Sequence, residues 1–128
     1  MIHETYPVKM DGSQPYAGLT VYIQEDYEEL AVSARPLVLI CPGGGYEHVS
    51  VREGEPVALH FLTAGCHAAV LWYDISKHDV AYPQELKELA WSVAYLRAHA
   101  DQYAIDKDKI LVAGFSAGAH LAASLGCF

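Results

Sequence analysis

Three uninterrupted apolar runs constrain this chain more than any other feature: "LVLIC" (37–41), "HAAVLWYD" (67–74) and "KILVAGF" (109–115). Each has the length of a strand and lacks polar alternation, the pattern of a strand buried on both faces. Between them the period changes to that of a helix. From Glu53 to Ala64, Pro56, Val57, Leu59, His60, Leu62 and Thr63 recur at helical spacing, with Gly65 as a stop. From Pro83, "PQELKELAWSVAYLRAHA" gathers Leu86, Leu89, Ala90, Val93, Leu96 and Ala100 on one face, while Glu85, Lys87, Glu88, Ser92 and Arg97 face elsewhere. After the third run, "AGAHLAASLG" predicts a helix of small residues able to lie close against a sheet. Strands alternating with helices need right-handed crossovers, so the expected fold class is α/β: a parallel-rich sheet with helices on both faces, a three-layer sandwich. Ahead of these units, "GLTVYIQ" alternates Leu19, Val21 and Ile23 with other residues and predicts a half-buried strand, followed by an acidic turn from Glu25 to Glu29.

With 128 residues and no repeat, linker or low-complexity tract, residues 1–128 are expected to form one folding unit. Apolar residues make up 52% and charged residues 19%, and no apolar run approaches the roughly 18 residues needed to span a membrane. Sixteen acidic against eight basic residues give a formal charge of −8, which repels phosphate backbones and anionic lipid, so no nucleic-acid or membrane partner is expected. The start, "MIHETYPVKM", lacks a basic segment, an apolar stretch and a cleavage site, which makes the cytoplasm the expected compartment. Cys41, Cys66 and Cys127 are odd in number and widely spaced, as suits small buried apolar residues better than a disulfide framework or a zinc knuckle.

Two turns carry chemistry. Gly114-Phe115-Ser116-Ala117-Gly118 matches G-x-S-x-G, directly after a predicted strand and directly before a predicted helix. In such an elbow the serine takes strained backbone angles, and glycines two residues to either side remove side chains that would collide. The hydroxyl is thereby raised above the carboxyl edge of the sheet, where open α/β sheets bind ligands. The same residues could also make a plain turn with a helix-capping serine. The second turn, "CPGGGY", follows the first apolar run. Successive glycines let backbone N–H groups approach a developing oxyanion, and Gly44 and Gly45, joined by Ala117, are the candidate donors. A phosphate-binding reading fails, because neither G-x-G-x-x-G nor G-K-[ST] is present.

Residues 35–127, through "VLICPGGGYEHVSVREGEPVALHFLTAGCHAAVLWYDIS", the "YPQELKELAWSVAYLRAHA" helix and "IDKDKILVAGFSAGAHLAASLG", resemble the N-terminal half of the α/β-hydrolase serine esterases. The nearest branch is the acetyl xylan esterase and feruloyl-esterase-like group related to hormone-sensitive lipase. The resemblance implies a truncated α/β-hydrolase fold. It implies Ser116 as acyl-accepting nucleophile, Gly44, Gly45 and Ala117 as oxyanion donors, and Tyr46 as a wall of the acyl pocket. It also implies a short acyl ester or acetylated oligosaccharide, such as those of xylan, as substrate, with no cofactor. Pro42 stands where the family often has histidine, and Ala119 where it often has a second glycine.

In that family the triad acid and histidine follow the serine on later strands. Here His3, His48, His60, His67, His78 and His99 all precede Ser116, and His120, four residues beyond it, is expected to point along its helix and bond the oxyanion loop. Asp74, Asp79 and Asp106 are equally poorly placed, Asp106 reading as a turn residue, and no metal-ligand spacing is present. The chain by itself is therefore expected to be inactive. Its strand "ILVAGF" is expected to form a bare apolar edge prone to self-association, leaving the isolated chain marginally folded, oligomeric or insoluble. Two rivals stay open at this point: a formamidase or peptidase of the same fold, and a non-catalytic α/β module that binds a ligand or partner chain.

Overall fold

The three apolar runs lie side by side. A computed structural model describes residues 1–25, 29, 34–75 and 82–127. In it β3 (Arg35–Cys41) pairs parallel with β4 (His67–Trp72) on one side and with β5 (Ile105–Gly114) on the other. β1 (Ile2–Pro7) and β2 (Gly18–Ile23) extend the sheet antiparallel, giving the order β1-β2-β4-β3-β5. The parallel part is thus the site-bearing part, and the N-terminal hairpin widens it. β1 gives no clear signal in the sequence, and its burial explains why: five of its six residues are exposed.

β2 departs from the half-buried strand that its alternation predicts. All six of its residues are buried, because β1 and β4 flank it and both sheet faces are covered there. Thr20 tolerates burial by accepting the Trp72 indole N–H at 3.0 Å and pairing with the Thr5 hydroxyl at 2.7 Å.

Each face of the sheet has its own helices. α1 (Glu55–Thr63), entered through a short 3-10 turn at Val51–Glu53, covers Val38, Ile40, Ala68 and Val70 with Ala58, Phe61 and Leu62. α2 (Gln84–Ala98), α3 (Ala100–Tyr103) and α4 (Ala117–Cys127) cover the opposite face, where Leu37, Leu39, Ala69 and Leu71 meet Leu89, Leu96, Tyr103 and Leu121. The alternation of side chains along each strand sends neighbouring residues to the two layers. Truncating any of these fully buried leucines to alanine removes about 2–5 kcal/mol. Cys41 is wholly buried and Cys66 half-buried, both as free thiols, and burial pushes the Cys41 thiol up to about 12.

α2 corrects the sequence reading. Its buried residues are Glu85, Glu88, Leu89, Ser92 and Leu96, so three residues expected to face elsewhere point inward. Ala90, expected in the core, is exposed; with Val93, Ala94 and Arg97 it lines an open groove against Ile110, Val112 and Leu125. Leu111, opposite Val38 on the edge strand β5, is 56% exposed. Asp106 belongs to β5 in a locally irregular stretch, where the Asp108 N–H bonds its carboxylate at 3.1 Å.

The inward polar residues tie the N-terminal segment to the sheet. Glu88 accepts the Asp74 N–H through Oε1 at 2.7 Å and the Ser13 hydroxyl through Oε2 at 2.5 Å, and Asp74 accepts the Gln14 N–H at 2.7 Å. Glu85 is buried beside them, and burial raises its carboxyl too. Burial, reinforced by the neighbouring Asp74 carboxyl, pushes Glu88 up to about 8. The folded chain therefore keeps this proton over a range in which the unfolded chain has released it. Its stabilisation is complete below the ordinary carboxylate range and declines as pH rises through about 8. Thermal unfolding followed from about pH 5 to about pH 9 should show a falling midpoint, and Glu88→Gln should flatten that slope.

Candidate active site

Two residues, Phe115 and Ser116, connect the end of β5 to the start of α4. Ser116 has φ +54°, a left-handed conformation that costs a non-glycine residue roughly 1–3 kcal/mol and persists only where the surroundings impose it. The surroundings are backbone. The Phe115 N–H bonds Cys41 O at 3.1 Å, the Gly118 N–H bonds Phe115 O at 2.9 Å, and the His120 N–H bonds Ser116 O at 3.0 Å. Both flanking glycines are sterically required: a Cβ on Gly114 would stand 2.2 Å from Gly118 O, and one on Gly118 only 1.9 Å from Cys41 O. The serine itself is exposed at the carboxyl edge of the sheet.

The glycine turn after β3 lies against this elbow, since a Cβ on Gly43 would sit 2.6 Å from Phe115 O and 3.1 Å from Ser116 Cβ. Gly44, Gly45 and Tyr46 follow with φ of +146°, +65° and +62°. The turn closes on itself: Gly44 O accepts the N–H groups of Glu47 and His48 at 3.1 and 3.2 Å, and Gly43 O accepts that of Ser50 at 2.8 Å. The Gly43 N–H is taken by Glu53 Oε1 at 3.0 Å. Among the described residues, no acceptor engages the N–H groups of Gly44, Gly45 or Ala117. Ala117 is the first residue of α4, where the helix leaves its N–H groups without internal partners and the macrodipole favours negative charge.

Aromatic rings wall one side. The Tyr46 hydroxyl and His120 Nδ1 are 2.6 Å apart, and their rings meet edge to face at 5.8 Å and 90°. Tyr73 and Tyr82 approach Tyr46 at 6.0 and 6.4 Å, and the Tyr73 hydroxyl donates to Pro42 O. Burial, with the Glu85 carboxyl nearby, pushes the Tyr46 phenol up to about 12, so it holds its proton, and the His120 tautomer sets which partner donates.

Ser116, Ala117, Gly44, Gly45 and Tyr46, singled out in the sequence, thus converge on adjoining turns at the ends of β3 and β5. His120 meets the loop as its place on the helix implies. No histidine among the described residues bonds the Ser116 hydroxyl: His3 stacks on Tyr22, His99 on Tyr95, and His67 is buried between Gln24 N and Ala104 O. His78 and Asp79 lie outside the described residues. Among those described, no group of three or more His, Cys, Asp or Glu is arranged to hold a metal ion, and no helix is long and apolar enough to cross a membrane. Glu53, Tyr73 and Tyr82 went unremarked in the sequence. Tyr73 sits in the second apolar run and looks like core, and nothing local links Glu53 to a glycine ten residues earlier.

The BD-FAE family model matches residues 21–128. The chain belongs to the BD-FAE family. It is similar to endo-1,4-β-xylanase B of Butyrivibrio fibrisolvens, with 39% identity over 93 residues, covering 71% of this chain and 15% of that protein. It is also similar to esterase LipC of Mycobacterium tuberculosis, with 28% identity over 116 residues, covering 90% of this chain and 28% of that protein. Among solved structures, MGS-M1, an α/β hydrolase from a Medee basin deep-sea metagenome library, superimposes with a TM-score of 0.88 at 39% identity, covering 98% of this chain and 50% of its own. The acetyl ester-xyloside bifunctional hydrolase of Caldicellulosiruptor lactoaceticus gives 0.81 at 30% identity, covering 93% and 44%. This BD-FAE chain therefore has the α/β-hydrolase fold over about half the length of those structures, and its relatives include an esterase and an acetyl ester-xyloside hydrolase.

The glycines separate two kinds of cost. Gly118→Ala drives a Cβ into a backbone carbonyl and should remove more than about 3 kcal/mol or abolish cooperative unfolding. Gly45→Ala meets nothing within 4 Å and should cost only about 1–2 kcal/mol, for its positive φ. Chemical denaturation of the two variants beside the parent checks the ranking.

Proposed function

We propose that this chain carries the nucleophile and oxyanion hole of a serine carboxylic ester hydrolase. The observation that carries the reading is the strained Ser116 at the strand-to-helix turn, beside backbone N–H groups of Gly44, Gly45 and Ala117 that no acceptor among the described residues uses. In this reading Ser116 Oγ attacks the ester carbonyl carbon, its proton passing to a histidine base. The carbonyl oxygen becomes an oxyanion held by those N–H groups, each worth about 3–4 kcal/mol in the transition state. Collapse expels the alcohol and leaves an acyl-serine, which water then hydrolyses by the same route.

The histidine and its orienting acid are proposed to come from polypeptide outside these 128 residues, because no histidine among the described residues bonds the Ser116 hydroxyl and the chain spans about half the length of the solved structures it matches. The proposed substrates are short acyl esters on carbohydrate, such as acetylated xylan oligosaccharides. The names of two relatives support that choice, one a xylanase and the other an acetyl ester-xyloside hydrolase. Tyr46 and Tyr82 would then flank the acyl group. The reaction is proposed to take place in the cytoplasm.

Hydrolysis of p-nitrophenyl acetate and of acetylated xylo-oligosaccharide by the protein as its gene encodes it tests this. Ser116→Ala should lower kcat by at least about 10³-fold with little change in thermal stability. Unaltered turnover in that variant would remove Ser116 from the mechanism.

A further inference from the structure

We infer that His120 is a positioning residue that locks the oxyanion turn to the serine elbow through the Tyr46 hydroxyl. The inference rests on the reading of Ser116 as nucleophile and of Gly44, Gly45 and Ala117 as oxyanion donors.

Three non-glycine residues in the described chain have positive φ: Tyr46, Ala104 and Ser116. Ala104 caps α3 at the far end of the sheet, beside the start of β3. The other two are both at the site, and His120 is bonded to both of them. Its backbone N–H donates to Ser116 O at 3.0 Å, and its Nδ1 shares a hydrogen bond with the Tyr46 hydroxyl at 2.6 Å. Left-handed backbone at a bulky aromatic residue is a genuine outlier and needs external restraint. For Tyr46 that restraint is the His120 hydrogen bond, the perpendicular His120 ring at 5.8 Å and the Tyr73 ring at 6.0 Å.

Geometry explains why one side chain can serve two turns. His120 stands four residues after Ser116, one helical turn along α4, and its ring leans back toward the helix N-terminus as helical side chains do. Tyr46 immediately follows Gly45, so anchoring its ring anchors the end of the glycine run. The start of that run is held separately, by Glu53 on the Gly43 N–H and by Tyr73 on Pro42 O. Between these anchors lie the Gly44 and Gly45 N–H groups, whose aim depends on peptide planes that glycine alone does not fix. A donor displaced by about 1 Å forfeits much of its effect on the transition state while the substrate still binds, so the loss belongs in kcat.

Among the described residues no hydrogen bond joins His120 to the Ser116 hydroxyl: its Nδ1 pairs with the Tyr46 phenol, and its ring meets Tyr46 and Tyr82.

The test is a double-mutant cycle on ester hydrolysis, in the protein as its gene encodes it, with Tyr46→Phe, His120→Ala and both together. A fluorophosphonate probe reads Ser116 reactivity in parallel. Each single variant should lower kcat about 10- to 100-fold with KM near the parent value, and the double variant should be no worse than either single. His120→Gln, whose amide oxygen can accept the Tyr46 hydroxyl, should recover most of kcat, and the acidic limb of the pH–rate profile should persist in every variant. Parental kcat in Tyr46→Phe, or additive losses, would overturn the latch while Ser116 labelling in the parent left the nucleophile standing. Loss of the acidic limb in His120→Gln, where a general base is titrated, would overturn it in favour of His120 as base. Absence of Ser116 labelling in the parent would instead overturn the underlying reading, and the latch with it. If His120→Ala fails to fold, Tyr46→Phe, which removes one oxygen and keeps the ring, decides the matter together with His120→Gln.

Discussion

The close approach of two backbones, at the carboxyl ends of β3 and β5, governs the rest of this structure. Cys41 O receives the Phe115 N–H and lies where a side chain on Gly118 would have to go. Parallel pairing of the two strands brings their ends level, and the glycines at 43, 114 and 118 allow the turns beyond them to touch. That contact is backbone against backbone, so no flexible side chain can yield to relieve it. The left-handed Ser116 and the exposed N–H groups beside it follow from this packing.

Around that contact the protein places polar groups where a core would ordinarily be apolar. Glu85, Glu88 and Asp74 are all buried, and Ser13 and Gln14 reach Glu88 and Asp74 from the segment between β1 and β2. The antiparallel hairpin is thereby joined to the parallel sheet through side chains as well as through the β2–β4 ladder. Buried carboxyl groups are tolerated when hydrogen bonds satisfy them or a proton neutralises them, and both devices operate here.

The legible part of the sequence was the part whose signal is local. Unbroken apolar runs marked β3, β4 and β5, and the glycine pattern on either side of Ser116 marked the elbow, because strand burial and steric exclusion act over a few residues. α2 was found and its inward face misread, since the hydrophobic stripe that spacing selects is not the face that packs. Glu88 turns inward because Asp74 and Ser13, distant in sequence, supply its partners, and Ser92 beside it bonds Glu88 O one turn back. Alternation correctly identified β2 as a strand and mistook its exposure, which depends on the unforeseen β1. The five site residues came from motif and resemblance. Glu53, which holds Gly43 by one long-range hydrogen bond, left no pattern to find.

The hydrogen bond from Tyr46 to His120 has a consequence for how this molecule can change over time. Connecting segments are ordinarily where chains gain and lose residues with least harm. The segments 43–46 and 116–120 are exceptions: one residue more or fewer in either would rotate or displace one partner away from the other. Both are surface turns by location, yet their lengths are set jointly, by a fit between two places 74 residues apart in sequence.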